Sequence, residues 1–174
     1  MEIHKASESD FEAMWQIFKA VVSKGDSYVF SPDTGKEDAH AYWFGIGITS
    51  FVAVENGRII GMYKFLSNQR DLGSHVANAS FMVDPDEHGK GIGELMGRHC
   101  LVEARKAGYL AMQFNFVVSS NKAAVSLWQK LGFSIVGTLP KAFRHQHIGY
   151  VDAYVMYRFL DDVQTLNKGD TSCD

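Results

Sequence analysis

The chain has 174 residues, 46% of them hydrophobic and 21% charged, with a formal net charge of -3. That length suits one domain with a sizeable core, and the mild acidity argues against a broad nucleic-acid footprint. Cys100 and Cys173 lie too far apart in the sequence to suggest a disulfide framework or a metal-ligand set. The opening Met1-Glu2-Ile3-His4-Lys5 lacks the basic-then-apolar pattern of a signal peptide. No apolar run approaches membrane-spanning length. The expected location is the cytoplasm, with no metal, no nucleic acid and no membrane among the partners.

A short strand is expected near Glu2–Lys5. Ser9 or Asp10 then offers a helix cap, and Phe11, Met14, Trp15, Phe18 and Val22 recur at helical spacing as a buried face. Gly25 to Gly35 reads as loop, punctuated by Ser31-Pro32-Asp33, and a second helix follows from about Glu37 to Phe44. Ser50–Glu55 and Arg58–Leu66 read as strands joined at Asn56-Gly57, a pair that tolerates the positive φ of a tight hairpin. A long strand over His75–Val83 stops at Asp84-Pro85. Ile92, Leu95, Met96, His99 and Val102 then mark a helix that ends near Gly108. Ala111–Val118 reads as a strand, Asn121–Leu131 as a helix, Ser134–Thr138 as a strand and Val151–Phe159 as the last strand. Phe143-Arg144-His145-Gln146-His147 is expected as a polar loop before it. A hairpin followed by strand–helix units implies an α/β chain of α+β type, a mixed sheet with helices on its faces. One domain is expected over 1–160, with a polar tail over 161–174.

Between the strand that ends at Val83 and the helix that starts at Ile92 lies Asp84-Pro85-Asp86-Glu87-His88-Gly89-Lys90-Gly91, with Gly93 just inside the helix. Glycines let main-chain amides approach a ligand closely. The first turn of the helix adds unpaired N–H groups at the positive end of its dipole. The combination suits a phosphate or pyrophosphate, with His88 and Lys90 adding charge at the rim. Taken alone, such a loop is equally a plain connecting turn. The Gly-Lys-Ser/Thr of a nucleoside-triphosphate loop is absent. Glycines at every second residue, halfway along the chain, do not fit the dinucleotide fingerprint either.

Val83-Asp84-Pro85 with His88-Gly89-Lys90-Gly91-Ile92-Gly93 resembles the acetyl-CoA loop of the GCN5-related N-acetyltransferase (GNAT) superfamily. Downstream, Asn121, Ala124, Leu127, Lys130 and Leu131-Gly132-Phe133 are similar to that family's second cofactor-binding helix and the turn after it. Both motifs occur in the family's order and spacing, and the likeness spans about Ile3 to Phe159. It implies the GNAT-type acyl-CoA N-acyltransferase fold, a mixed and mostly antiparallel sheet flanked by helices. Acetyl-CoA is the implied co-substrate, without a metal. The amides of Gly89, Gly91, Gly93 and their neighbours Lys90 and Ile92 would cradle the pyrophosphate. Met82 and Val83 would pair with the pantetheine arm, and Lys130 would belong to the cofactor side. Asn121 would face the pantetheine or the sulfur. His88 stands where the family usually has Arg or Gln.

Acetyl transfer to an amine needs a deprotonated nucleophile, a polarised thioester carbonyl and a stabilised leaving thiolate. Where the family often places a proton-donating Tyr, this chain has Trp128, whose indole is no usable acid. Packing is its expected role. The family's frequent carboxylate base is also missing, since His75–Val83 contains neither Asp nor Glu. Instead that strand carries Asn78 and the next one Asn115, although Asn is disfavoured within strands. Either these are satisfied amides, or both face a cleft where the two strands diverge. Asn78-Ala79-Ser80-Phe81, Phe114-Asn115-Phe116-Val117 and Asn121 are similar to fungal acetyltransferases acting on proline analogues such as azetidine-2-carboxylate. That likeness implies that Asn78 and Asn115 hold the acceptor, Phe81 packs against it and Asn121 sits near the sulfur. Asn78 and Asn121 are then the catalytic candidates.

Tyr28 and Phe30 are candidates to cap the acceptor pocket, or else core residues. Arg144 is a candidate partner for a substrate carboxylate, or part of a solvated loop. His75, His145 and His147 are candidate bases with surface roles as the alternative. The expected activity is direct, ternary-complex acetylation of a small-molecule amine, an amino or imino acid. No covalent acetyl-enzyme is expected, because Cys100 falls within a helix without an evident His partner. A non-catalytic acyl-CoA-binding module and an acetyltransferase for protein or peptide amines are the alternatives. The last strand and the helix with Tyr42, Trp43 and Phe44 are candidates for a homodimer surface, or core.

Overall fold

The computed structural model describes residues 1–165. The expected tail over 161–174 lies largely outside them, as does Cys173. In chain order the elements are β1 (Glu2–Lys5), α1 (Phe11–Val22), α2 (Lys36–Phe44), β2 (Thr49–Glu55), β3 (Arg58–Ser67) and β4 (Val76–Val83), then α3 (Ile92–Lys106), β5 (Ala111–Val118), α4 (Lys122–Lys130), β6 (Ser134–His145) and β7 (Gly149–Phe159). Asn56 and Gly57 take φ of 51° and 75° and turn β2 into β3, as that pair favours.

The seven strands form one sheet in the order β1-β2-β3-β4-β5-β7-β6. Every neighbouring pair is antiparallel except β4 with β5. Side chains alternate across the sheet, and each face has its own core. On one face Met62 and Met82 pack with Met14 and Phe18 of α1 and Trp43 of α2. On the other, Tyr63 and Phe65 pack with Met96 and Cys100 of α3 and Trp128 of α4. Trp43 is fully buried and Tyr42 and Phe44 pack around it, so α2 is built into the core. Leu160 is also buried and Val163 packs on the second core. No described helix is long and apolar enough to cross a membrane.

Two elements differ from their sequence pattern. β6 continues to His145, so Phe143, Arg144 and His145 are strand residues paired with Val151, Tyr150 and Gly149, not a loop. Pro140 hid this continuation, because Pro is disfavoured inside strands. The ladder absorbs it with a bulge between Leu139 and Phe143, where Lys141 takes φ of 51°. In α3 the buried face is Ile92, Met96, Gly97, Cys100, Leu101 and Ala104, and Leu95 is 51% exposed. The helix packs on its small residues. A Cβ on Gly97 would come within 2.5 Å of Leu131, just after α4, so Gly97 sets how closely the two helices approach.

The feature that positions the site is short. β4 and β5 pair only at Val76↔Ala111 and Ala77↔Met112, and beyond them the strands part. A bulge between Phe114 and Val117, against β7, accompanies the departure.

Candidate active site

Past Ala77 the β5-facing edge of β4 has no strand partner. The Tyr28 hydroxyl, from the loop between α1 and α2, occupies part of this edge. It accepts from the Phe81 N–H at 3.1 Å and donates to the Phe81 carbonyl. Burial, with Tyr42 nearby, pushes the Tyr28 phenol above its ordinary value, so it stays protonated as this double bond requires.

A cleft of about 700 Å³ runs from this edge to the start of α3. Gly89 and Gly91 take φ of 80° and 79°, and a Cβ on either would meet nothing within 4 Å. Conformation and open space, not packing, are what these two glycines provide. Gly91 caps α3 without any side-chain hydrogen bond, so the first-turn N–H donors have no side-chain partner beside the cleft. The His88 ring folds back to within 3.3 Å of the Val83 carbonyl oxygen.

The cations expected at the cofactor are engaged elsewhere. Lys90 Nζ donates to Glu87 Oε2 at 2.6 Å, and Arg58 bonds both Glu87 and, at 2.9 Å, Asp84 Oδ2. Lys90 first, then Arg58, hold the Glu87 carboxyl below the usual carboxylate range. Lys130 Nζ bonds Glu94 Oε2 at 2.5 Å. Neither Lys90 nor Lys130 lines the cleft. Ile92 and Met82 do border it, but their side chains are buried in the two cores, and the Met82 N–H and C=O point toward β3, opposite to those of Phe81.

A second cavity, of about 260 Å³, lies on the α1–α2 side and is walled by Asn78, Ser80, Tyr42, Asn115 and Phe116. It joins the cleft at Tyr28, Phe81 and Asn121. Asn78 Nδ2 donates to the Gln113 carbonyl at 2.9 Å, stitching β4 to β5 just beyond the last ladder pair. Asn115 is engaged at both ends: Oδ1 accepts from Gln113 Nε2 and Nδ2 donates to Asn68 Oδ1, both at 2.7 Å. Asn121 caps α4 by accepting the Ala124 N–H at 3.1 Å, and no hydrogen bond engages its Nδ2 among the described residues. Trp128 is buried against Phe81 and Phe114, with ring centroids 4.7 Å away in each case, which is the packing role its sequence position suggests.

Six sequence candidates thus converge: Asn78, Asn115, Phe81, Tyr28, Phe30 and Asn121. Arg144 does not join them. It lines an adjoining cavity of about 410 Å³ with Phe30, which also borders the smaller space, and His145, which also borders the cleft. The Gln146 N–H bonds the Gly25 carbonyl at 2.9 Å and ties that cavity's roof to the loop carrying Tyr28. His75 and His147 border none of the three spaces, and among the described residues no carboxylate lines the smallest. Sequence reading missed Tyr42 and Ser80, whose hydroxyls bond each other at 2.6 Å in its wall. Ser80 had a signal, since it lies two residues after Asn78 on the same strand face.

An open parallel splay, beside a glycine turn and an uncapped helix start, is the architecture of an acyl-CoA-dependent transferase. Residues 11–133 match the acetyltransferase (GNAT) family, and the chain belongs to that family of acyltransferases. It is similar to the N-acetyltransferase aca1 of Schizosaccharomyces pombe, 34% identical over 103 residues that cover 58% of this chain and 49% of that protein. The match therefore spans about half of that relative's length. The chain is also similar to the L-amino acid N-acyltransferase MnaT of Escherichia coli, 29% identical over 81% of this chain and 84% of that one. Among solved structures it superposes on a GCN5-related N-acetyltransferase from Kribbella flavida with a TM-score of 0.86. That protein is 37% identical, with 91% of this chain and 96% of that one covered.

Proposed function

We propose that this enzyme transfers acetyl from acetyl-CoA directly to the amine of a small amino or imino acid, within a single domain over about 1–160. The observation that carries the reading is the junction of the two spaces at Phe81 and Asn121. One space is long and bordered by amide donors; the other is small and walled by amides, hydroxyls and aromatic rings. The L-amino acid N-acyltransferase similarity supports an amino acid as acceptor.

The residues present fit acetyl-CoA. The uncapped start of α3 and the open positions at Gly89 and Gly91 suit a pyrophosphate, held by amides of Gly89 to Gly93 with His88 at the rim. The free edge of β4 at Val83, with Met82 bordering the cleft beside it, suits the amides of a pantetheine arm. When bound, acetyl-CoA supplies the activated acetyl group and a thiolate leaving group. Asn121 has its Nδ2 left over to stabilise developing charge on the sulfur side. Asn78, fixed by Gln113, orients the acceptor amine, and Asn115, fixed by Gln113 and Asn68, lines its other side. Phe81 packs against the acceptor, the Tyr28 hydroxyl fixes its main chain, and Arg144 in the adjoining cavity offers a guanidinium for the acceptor's carboxylate. Lys90 and Lys130 act indirectly, by tying Glu87 and Glu94 around the loop. Cys100 is fully buried and its thiol is pushed up by that burial, which argues against an acetyl-enzyme.

A thiol-release assay with acetyl-CoA tests this against amino acids, proline analogues, polyamines and peptide amino termini. Release with amino or imino acids, and the matching N-acetyl product by mass, is the expected result. Release with peptides alone contradicts the acceptor class. No release with any amine supports a non-catalytic binder.

A further inference from the structure

Lys64 lies in the middle of β3, is 4% exposed and forms no salt bridge among the described residues. Its Nζ donates to the Tyr42 carbonyl at 2.6 Å and sits 3.2 Å from the centre of the Tyr42 ring. The groups around it are otherwise neutral. From α2 comes Trp43, from β2 Ser50, and from β4 Ser80. Met14 and Phe18 of α1 fill the same layer, and Tyr28 beyond Tyr42 stays protonated. Tyr42 and Ser80, hydrogen-bonded to each other, are also the wall of the 260 Å³ cavity. An ammonium therefore stands one side chain behind the space where an amine nucleophile has to lose its proton.

We propose that Lys64 is a positioning residue whose buried charge, acting through the Tyr42–Ser80 wall, favours the neutral amine over the ammonium in the acceptor cavity. This rests on that cavity being the acceptor site. The bound ammonium gives one proton to solvent water and keeps the nitrogen lone pair for attack, so no carboxylate base is required in the wall. Like charges at short range lower a neighbouring pKa by about one unit or more. Burial pushes the Lys64 ammonium down to about 8. It is thus charged at neutral pH, and its effect fades as pH rises past that value.

The test compares wild type with K64Q, which retains a donor for the Tyr42 carbonyl, with K64M, and with K64R, which retains the charge. At saturating acceptor and acetyl-CoA, the acidic limb of kcat reports the bound amine. It is expected to move up by about one pH unit in K64Q and K64M, with the acetyl-CoA KM unchanged, and to stay near wild type in K64R. Independently of turnover, calorimetry without acetyl-CoA, in buffers of different ionisation enthalpy, counts protons released per amino acid bound. Wild type should release a larger fraction than K64Q at the same pH. Equal limbs and equal proton release overturn the role of Lys64 while leaving the acetyltransferase reading intact. A wild type that binds no amino acid overturns both.

Discussion

At Gly91 one residue's conformation serves the proposed phosphate site. Its φ of 79° lies in the left-handed region, and a Cβ there would find open space. Gly91→Ala therefore costs strain without a clash, about 1–2 kcal/mol. The expected outcome is a Tm about 3–6 °C lower and an acetyl-CoA KM raised about tenfold, measured by thermal melting and steady-state kinetics. An unchanged KM would remove the loop from the cofactor site. This glycine was legible as a cofactor residue through the second motif at Asn121–Phe133, since a glycine turn alone is equally a plain connection. Asn78 and Asn115 were legible for a related reason: an amide inside a strand needs a partner, and each has one. Lys90 is expected to add charge at the rim of the loop and Lys130 to belong to the cofactor side; Glu87 and Glu94 compete for them at hydrogen-bond distance, and such pairings depend on the fold.

Among the elements, the loop before α3 is held from outside by a carboxylate. Glu87 is 8% exposed, receives both Arg58 and Lys90, and links the β2–β3 hairpin to the glycine turn. Glu87→Gln keeps the shape and removes the charge. We expect the acetyl-CoA KM to rise about two- to fivefold, the effect of losing partly solvated ion pairs, with kcat nearly unchanged. A fall in kcat at constant KM would place Glu87 in the chemistry instead. Element boundaries followed from periodicity at most positions, and the hairpin turn from Asn56-Gly57. The face of α3 did not, because its packing residues include Gly97, Cys100 and Ala104, which a pattern of large apolar side chains passes over. β6 was cut short for the opposite reason, since a bulge accommodates a Pro that normally ends a strand.

For the whole molecule, the decisive feature is the parting of β4 from β5 after two residue pairs. It opens the sheet at its centre, so that a cleft on the α3 side meets a cavity on the α1–α2 side. Sequence motifs indicated both strands and the cofactor loop. Tyr28 was a candidate cap, but its bonds to the Phe81 main chain, which place it at the meeting point, and the Tyr42–Ser80 pair in the cavity wall are long-range contacts that leave no local pattern. On the proposed function an amino acid's amine is acetylated at this junction, oriented by Asn78. The most direct test is the steady-state kinetics of Asn78→Ala with the best amino acid acceptor. Losing a charge-neutral orienting hydrogen bond predicts a kcat at least about tenfold lower, an acetyl-CoA KM within about twofold of wild type, and a melting curve that still shows one folded protein. An Asn78→Ala enzyme with full kcat and an unchanged acceptor KM would show that Asn78 does not orient the acceptor.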